Sequence, residues 1–236
     1  MLSCILENRN IKDDKRLVKL NDIIAKLIKR RNKMNEKIME KPKEGISVEK
    51  VTFAIILINI ALYIALNTAP SLRENLLMNR EISLILEKPW TLITVFLSHE
   101  VFIHLAFNMG IFYFFGTRLE KIANAKTVAI VYLIAGLIGS LTILFTGLIV
   151  QQTGLIAGAS ASVFGIVGTF ATLRPNAVIL GSKAKLWMWV LVIVTVLLAV
   201  LNPQTLDSAV AHVIGAFVGI VCGYWLKNKE DKKARC

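Results

Sequence analysis

Charge is scarce in this chain, and so is cysteine. Only 19% of the 236 residues are charged, against 55% hydrophobic. That balance excludes a disordered chain, which needs the reverse. Three scattered cysteines, Cys4, Cys222 and Cys236, exclude a disulfide scaffold, and no disulfide is expected. Acidic residues are also few, 16 against 28 Lys+Arg, which leaves a formal net charge of +12. A basic soluble domain of this size would carry more charge and fewer apolar runs.

The two properties lie in different places. Residues 1–50 hold 14 of the 28 Lys+Arg and 8 of the 16 Asp+Glu, whereas residues 51–226 are mostly long apolar blocks. Basic proteins usually bind nucleic acid. Membrane topology explains the charge equally well and the apolar blocks better, so a lipid bilayer is the expected partner and nucleic acid is not.

A bilayer core about 30 Å thick takes roughly 17–25 apolar helical residues. Six segments qualify as candidates: Val51–Ala69, about Val101–Gly116, Thr127–Leu148, the short Ala159–Leu173, Leu186–Leu201 and Ser208–Leu226. Ser47 is a candidate N-cap for the first. No signal peptide is expected, because the first apolar block follows a charged stretch. Orientation follows from Lys/Arg in the short loops. With the N-terminus inside, Arg118, Lys121, Lys126, Arg174, Lys183, Lys185 and five basic residues of the tail lie inside. Arg73, Arg80 and Lys88 lie outside, in one long loop, a split of eleven to three. The expectation is an all-α membrane protein with six spans and both termini cytoplasmic. Residues 1–46 form a basic cytoplasmic region, 47–226 the membrane core and 227–236 a basic tail. In the first region Ile23, Ile24, Leu27 and Ile28 make an apolar stripe among basic residues, and Pro42–Gly45 is the expected linker. Two readings stay open there: a solvated helix, or one lying on anionic lipid.

Polar residues inside spans are costly and mark function by default. Here they are His104 and Asn108 in the second span, Ser160 and Ser162 in the fourth, and His212 in the sixth. Ser140 and a few threonines can bond their own helix backbone and need no special role. These three spans run the same way. His104 lies 14 residues before Arg118, Ser160 14 before Arg174, and His212 15 before Lys227. At about 1.5 Å per residue, all three sit roughly 21–22 Å above the cytoplasmic boundary. Asn108 is one turn deeper, on the face of His104. The fourth span is too short to cross, so its N-terminus begins below the outer surface, beside protein or a wet cavity. Gly154 and Gly158 precede it. A hydroxyl at such a helix start can serve a developing oxyanion. Gly215, Gly219 and Gly223 on the sixth span, with Gly165 and Gly168 on the fourth, permit close helix approach.

At these residues the sequence resembles the rhomboid family of intramembrane serine proteases. His99-Glu-Val-Phe-Ile-His104-Leu-Ala-Phe-Asn108 is similar to the family's H-x4-H-x3-N pattern, and Gly116–Glu120 to the stretch that follows it. Gly158-Ala-Ser160-Ala161-Ser-Val-Phe164-Gly165 resembles the catalytic G-x-S-G motif, and Ala211-His212-Val-Ile-Gly215 the catalytic histidine motif. The resemblance covers about residues 51–226. It implies Ser160 as nucleophile and His212 as general base, with His104, Asn108 and the Ser160 N–H as oxyanion hole. Phe164 matches the aromatic position that packs on the histidine. It also implies transmembrane protein substrates cut near the outer surface, and no cofactor or metal. A prokaryotic plasma membrane is the expected location. His99 is expected nearer the interface, bracing the first loop or simply interfacial.

Two positions depart from the pattern. The glycine after the serine is Ala161, and the family's first-loop Trp-Arg pair is Trp90-Thr91, a change expected to loosen that loop. Asp207 lies five residues before His212 on another face, so a dyad is expected rather than a triad. Ser162 points about 200° away from Ser160. The fifth span has no glycine, which makes it the expected loosely packed gate, with 202–207 as its cap. Three other readings compete with this one. Ala161 is the support for a proteolytically inactive relative that binds membrane proteins. His99-Glu100 suggests a metalloprotease, but His104 is five residues on, which turns the rings about 140° apart. A transporter would show internal repeats and a polar path across, and neither is present.

Overall fold

The computed structural model describes residues 22–26, 49–150 and 152–233. Six longer helices dominate: α1 Lys50–Thr68, α2 Phe102–Ala123, α3 Ala125–Val150, α4 Ser160–Leu173, α5 Ala184–Leu201 and α6 Leu206–Lys233. Pro70, Pro89, Pro175 and Pro203 all fall between them, where a missing N–H breaks no helix. Chain contacts divide the protein into residues 1–47 and 48–236. In the first unit, residues 22–26 form a helical turn with Lys26 Nζ 2.7 Å from Asp22, and Ile23 and Ile24 are exposed. Leu27, Ile28, the 42–45 linker, Ser47, Cys4, Arg235 and Cys236 lie outside the described residues.

The second unit is a multi-pass membrane bundle. α1, α3, α5 and α6 are long and apolar enough to cross a bilayer. The segment Thr91–Leu97 and α2 make one more candidate if taken together, bent by 84° at their junction. α4, with 14 residues, falls below the length of a span. Among the described residues, length and composition therefore give four or five candidate spans where the sequence reading expects six. α3 and α5 differ in role: half of the apolar window of α3 is buried in the protein, against 17% for α5. On α5 only Ala184, Leu191, Thr195 and Ala199 are buried, a single narrow stripe.

α4 is the centre. Every residue from Ala161 to Ala171 is buried. It tolerates this because its neighbours are small. A Cβ on Gly219 would overlap the Gly165 carbonyl, one on Gly215 the Ala161 carbonyl, and one on Gly168 would lie 2.6 Å from the Ala216 carbonyl. α4 and α6 thus touch backbone to backbone, the contact that drives association where lipid competes with every apolar side chain. Thr169 Oγ1 ties them further, 2.9 Å from both the Gly165 and Gly219 carbonyls.

Helix ends are closed by specific groups. Glu120, near the end of α2, accepts from the backbone N of Val51 and Thr52 at 3.1 and 2.9 Å and from Thr52 Oγ1 at 2.7 Å. It satisfies first-turn donors of α1 that have no helical partner. Asn124 alone links α2 to α3, and its side-chain oxygen accepts from Thr127 N at 3.0 Å.

The fold is not purely helical. β1 (Met78–Asn79) pairs antiparallel with β2 (Leu155–Ile156), and β3 (Val178–Ile179) with β4 (Ser182–Lys183). Two-residue strands have too little alternation to read from sequence. Residues 70–100, read as one long loop, contain short helices as well as β1. The segment is firmly tied despite Trp90-Thr91. Trp90 Nε1 donates to the Asn75 carbonyl at 2.7 Å, and Thr94 Oγ1 to that of Leu76 at 2.6 Å. Arg80 Nε lies 2.6 Å from the fully buried Asp207 carboxylate at the head of α6.

Candidate active site

Ser160 is the first residue of α4, so its N–H belongs to the unpartnered first turn. Gly158 turns the chain into this position with φ +153, and a Cβ there would lie 2.7 Å from His104 Cε1. Both facts favour glycine: the backbone angle is one that other residues rarely adopt, and the ring occupies the space. Gly158 N also donates to the Val95 carbonyl at 3.0 Å, which anchors the turn to the segment before α2.

Ser160 Oγ lies 2.5 Å from His212 Nε2. The ring of His212 stacks on Phe164, with centroids 4.6 Å apart and planes at 15°. Its other nitrogen, Nδ1, lies 2.6 Å from Thr195 Oγ1 on α5. Three side chains from α4 and α5 therefore converge on one imidazole, and the backbone contact of α4 with α6 is what brings it there.

A cavity of about 80 Å³ opens at this pair. His104, Gly158, Ser160, Ala161 and His212 line it, with Gly136, Gly139, Ser140 and Ile143 of α3 opposite. A water needs roughly 10–15 Å³ measured this way, so the cavity has room for several. Ser140 lines it while its hydroxyl donates to the Gly136 carbonyl at 3.0 Å.

The other residues singled out from sequence fall as follows. Asn108 is buried one turn below His104, and its amide donates to the His104 carbonyl at 2.9 Å. It is not among the residues lining the cavity. Ser162 is fully buried and donates to the Tyr132 carbonyl at 2.8 Å, away from His212. Gly165 and Gly215 serve helix contact. Ala161 faces Gly139: a Cβ on Gly139 would overlap that of Ala161. Its methyl is thus accommodated by the missing side chain on α3. Asp207 belongs to Arg80. His99 is fully buried in the protein, and its Nε2 accepts from Ala159 N at 3.4 Å. It braces the segment before Ser160, with its ring edge-on to His104 at 5.0 Å.

Three contributors escaped the sequence reading: Thr195, Gly139 and Arg80. Thr195 did leave a signal, since it is the one hydroxyl between Leu186 and Leu201. Gly139 and Arg80 left none that distinguishes them from other loop arginines and packing glycines.

The fold and site together define a multi-pass helical membrane protein with a serine–histidine pair inside the bundle. The chain belongs to the rhomboid family, since residues 86–229 match the Rhomboid domain. It is 32% identical over 138 residues to RHOMBOID-like protein 6, mitochondrial, of Arabidopsis thaliana, a match over 58% of this chain and 43% of that one. It is 29% identical over 144 residues to Rhomboid protein 1, mitochondrial, of Saccharomyces cerevisiae, covering 58% and 41%. Against the rhomboid protein YdcA of Bacillus subtilis it is 27% identical over 146 residues, covering 61% and 70%. The chain spans less than half the length of the first two relatives. The family includes intramembrane serine proteases.

Proposed function

We propose that this protein is an intramembrane serine endopeptidase that hydrolyses peptide bonds in or near transmembrane helices of other membrane proteins. The observation that carries the reading is the 2.5 Å approach of Ser160 Oγ to His212 Nε2 beside a cavity with room for water. Ser160 Oγ attacks the scissile carbonyl and its proton passes to His212 Nε2. The oxyanion sits against the Ser160 N–H and His104; Asn108, one turn away and outside the cavity lining, joins them when its amide swings from the His104 carbonyl toward the cavity. His212 then protonates the leaving amine, and Ser160 holds the acyl half as an ester. A water gives a proton to His212 as it attacks the ester; the acyl product leaves, and His212 returns that proton to Ser160 Oγ, which restores the serine.

In this reading α4 starts in the outer part of the bilayer, six helices count as spans, and both termini face the cytoplasm. The eleven-to-three split of basic residues supports that orientation. The cut falls near the outer surface, at the depth of Ser160. A prokaryotic plasma membrane is the proposed location, supported by the 70% coverage of the Bacillus relative. Two other relatives are named as mitochondrial, so membrane fractionation of a tagged chain is the check.

The test is cleavage of a transmembrane substrate in lipid by the wild type, Ser160→Ala and His212→Ala, paired with fluorophosphonate labelling. The wild type cleaves and labels, and both variants lose cleavage by at least about 10⁴-fold. Equal labelling of Ser160→Ala sinks the mechanism. Absence of both cleavage and labelling in the wild type supports the second reading, an inactive relative that binds membrane proteins. Ala161 is the departure behind that reading, and Gly139 provides room for its methyl.

A further inference from the structure

Most span threonines in this protein satisfy themselves. Thr117, Thr142, Thr146, Thr169 and Thr172 each donate to the carbonyl four residues back. Thr195 instead reaches another helix, with its hydroxyl oxygen 2.6 Å from His212 Nδ1. Its side chain is buried, on the one stripe of α5 that faces the protein. The remaining groups on this ring are accounted for. Ser160 holds Nε2, Phe164 stacks on the face, and the carboxylate of Asp207 is held by Arg80.

This arrangement bears on a chemical requirement. A neutral imidazole carries one proton, on Nδ1 or on Nε2. To accept the proton of Ser160, His212 must hold it on Nδ1 and leave Nε2 bare. A buried Nδ1–H without an acceptor would be costly, and the ring would favour the unproductive tautomer or turn away.

We propose that Thr195 is the positioning residue for His212: its oxygen accepts the Nδ1–H bond, which fixes the tautomer and the ring plane for proton transfer from Ser160. Thr195 thus occupies the geometric place of a third triad member while contributing an uncharged acceptor. This rests on the protease reading for its kinetic consequence, but the tautomer is a property of the resting protein.

The test uses the full chain in lipid nanodiscs. Thr195→Val keeps the shape and removes the hydroxyl, and Thr195→Ser keeps the hydroxyl. Thr195→Val should lower kcat on a transmembrane substrate about 10- to 100-fold with little change in KM, and Thr195→Ser should recover most of it. Nitrogen-15 NMR of labelled histidine reads the tautomer directly, with the His212 signals assigned by their loss in His212→Gln. The wild type and Thr195→Ser should show His212 protonated on Nδ1. Thr195→Val should show the Nε2–H form or a mixture. Equal losses in Val and Ser variants of wild-type thermal stability would assign the effect to packing and overturn the proposal. So would a wild-type His212 protonated on Nε2, or a Val variant with an unchanged tautomer. If the wild type neither cleaves nor labels, the protease reading fails, and the nitrogen spectra alone decide the role of Thr195.

Discussion

Ala161 is the residue at which a sequence comparison alone would doubt activity, and its surroundings turn that doubt into a packing statement. Its methyl meets α3 where Gly139 has no side chain. The two positions should therefore behave as a pair. Gly139→Ala should destabilise the protein by about 1–3 kcal/mol through overpacking and slow fluorophosphonate labelling. Adding Ala161→Gly should restore both, a coupling that thermal unfolding and labelling rates measure in a double-mutant cycle. No recovery in the double variant would show that Gly139 serves the cavity and not the methyl. Ser160, His212 and His104 were legible in sequence because polar side chains are rare in spans and these share one depth. Thr195 is marked only as the lone hydroxyl of its span, a weak signal because a helical threonine ordinarily bonds its own helix. The segment that His99 bonds was not legible for a related reason. Counting turns gives height in the membrane but not the direction in which a loop carries a ring.

At the scale of elements, α4 is the piece on which the rest depends. It is shorter than the other spans, it is buried nearly throughout, and it meets α6 across glycines. Gly219→Val would drive side-chain atoms into the Gly165 backbone, which cannot rotate away as a side chain can. The expected outcome is a loss of more than about 3 kcal/mol and failure to react with fluorophosphonate, read by thermal unfolding in detergent. A Val variant of wild-type stability would mean that α4 and α6 are not in backbone contact. α5 presents the opposite case. It contributes four buried residues and an otherwise lipid-facing apolar surface. The four-residue spacing of small residues made the α4–α6 contact readable from sequence. The two-residue ladders and short helices between Pro70 and Ser98 were unreadable, since none is long enough to develop a period.

For the whole molecule, the ion pair between Arg80 and Asp207 joins segments 127 residues apart. Arg80 Nη1 also lies 3.5 Å from the carbonyls of Thr153 and Leu155, and Arg80 N donates to that of Gly154. One side chain thus connects the loop before α2, the approach to α4 and the head of the helix that carries His212. Asp207→Asn or Arg80→Met alone should cost about 3–5 kcal/mol, because each leaves a charge or its partner groups buried without a match. Replacing both with Met and Leu should recover much of the loss in thermal unfolding. Equal stability of single and double variants would mean the pair is solvated.

The sequence by itself determined the membrane class and the small set of polar residues able to do chemistry. Hydropathy and loop charge are sums along a local stretch of chain, and the bilayer reads them the same way. The tertiary structure decided which of those residues meet. Ser160 and His212 are 52 residues apart and Thr195 and His212 are 17 apart on neighbouring helices. Their contacts depend on the rotation of each helix about its axis, and that is set by where glycines let backbones close. Local composition places a side chain at a depth; only packing points it at a partner.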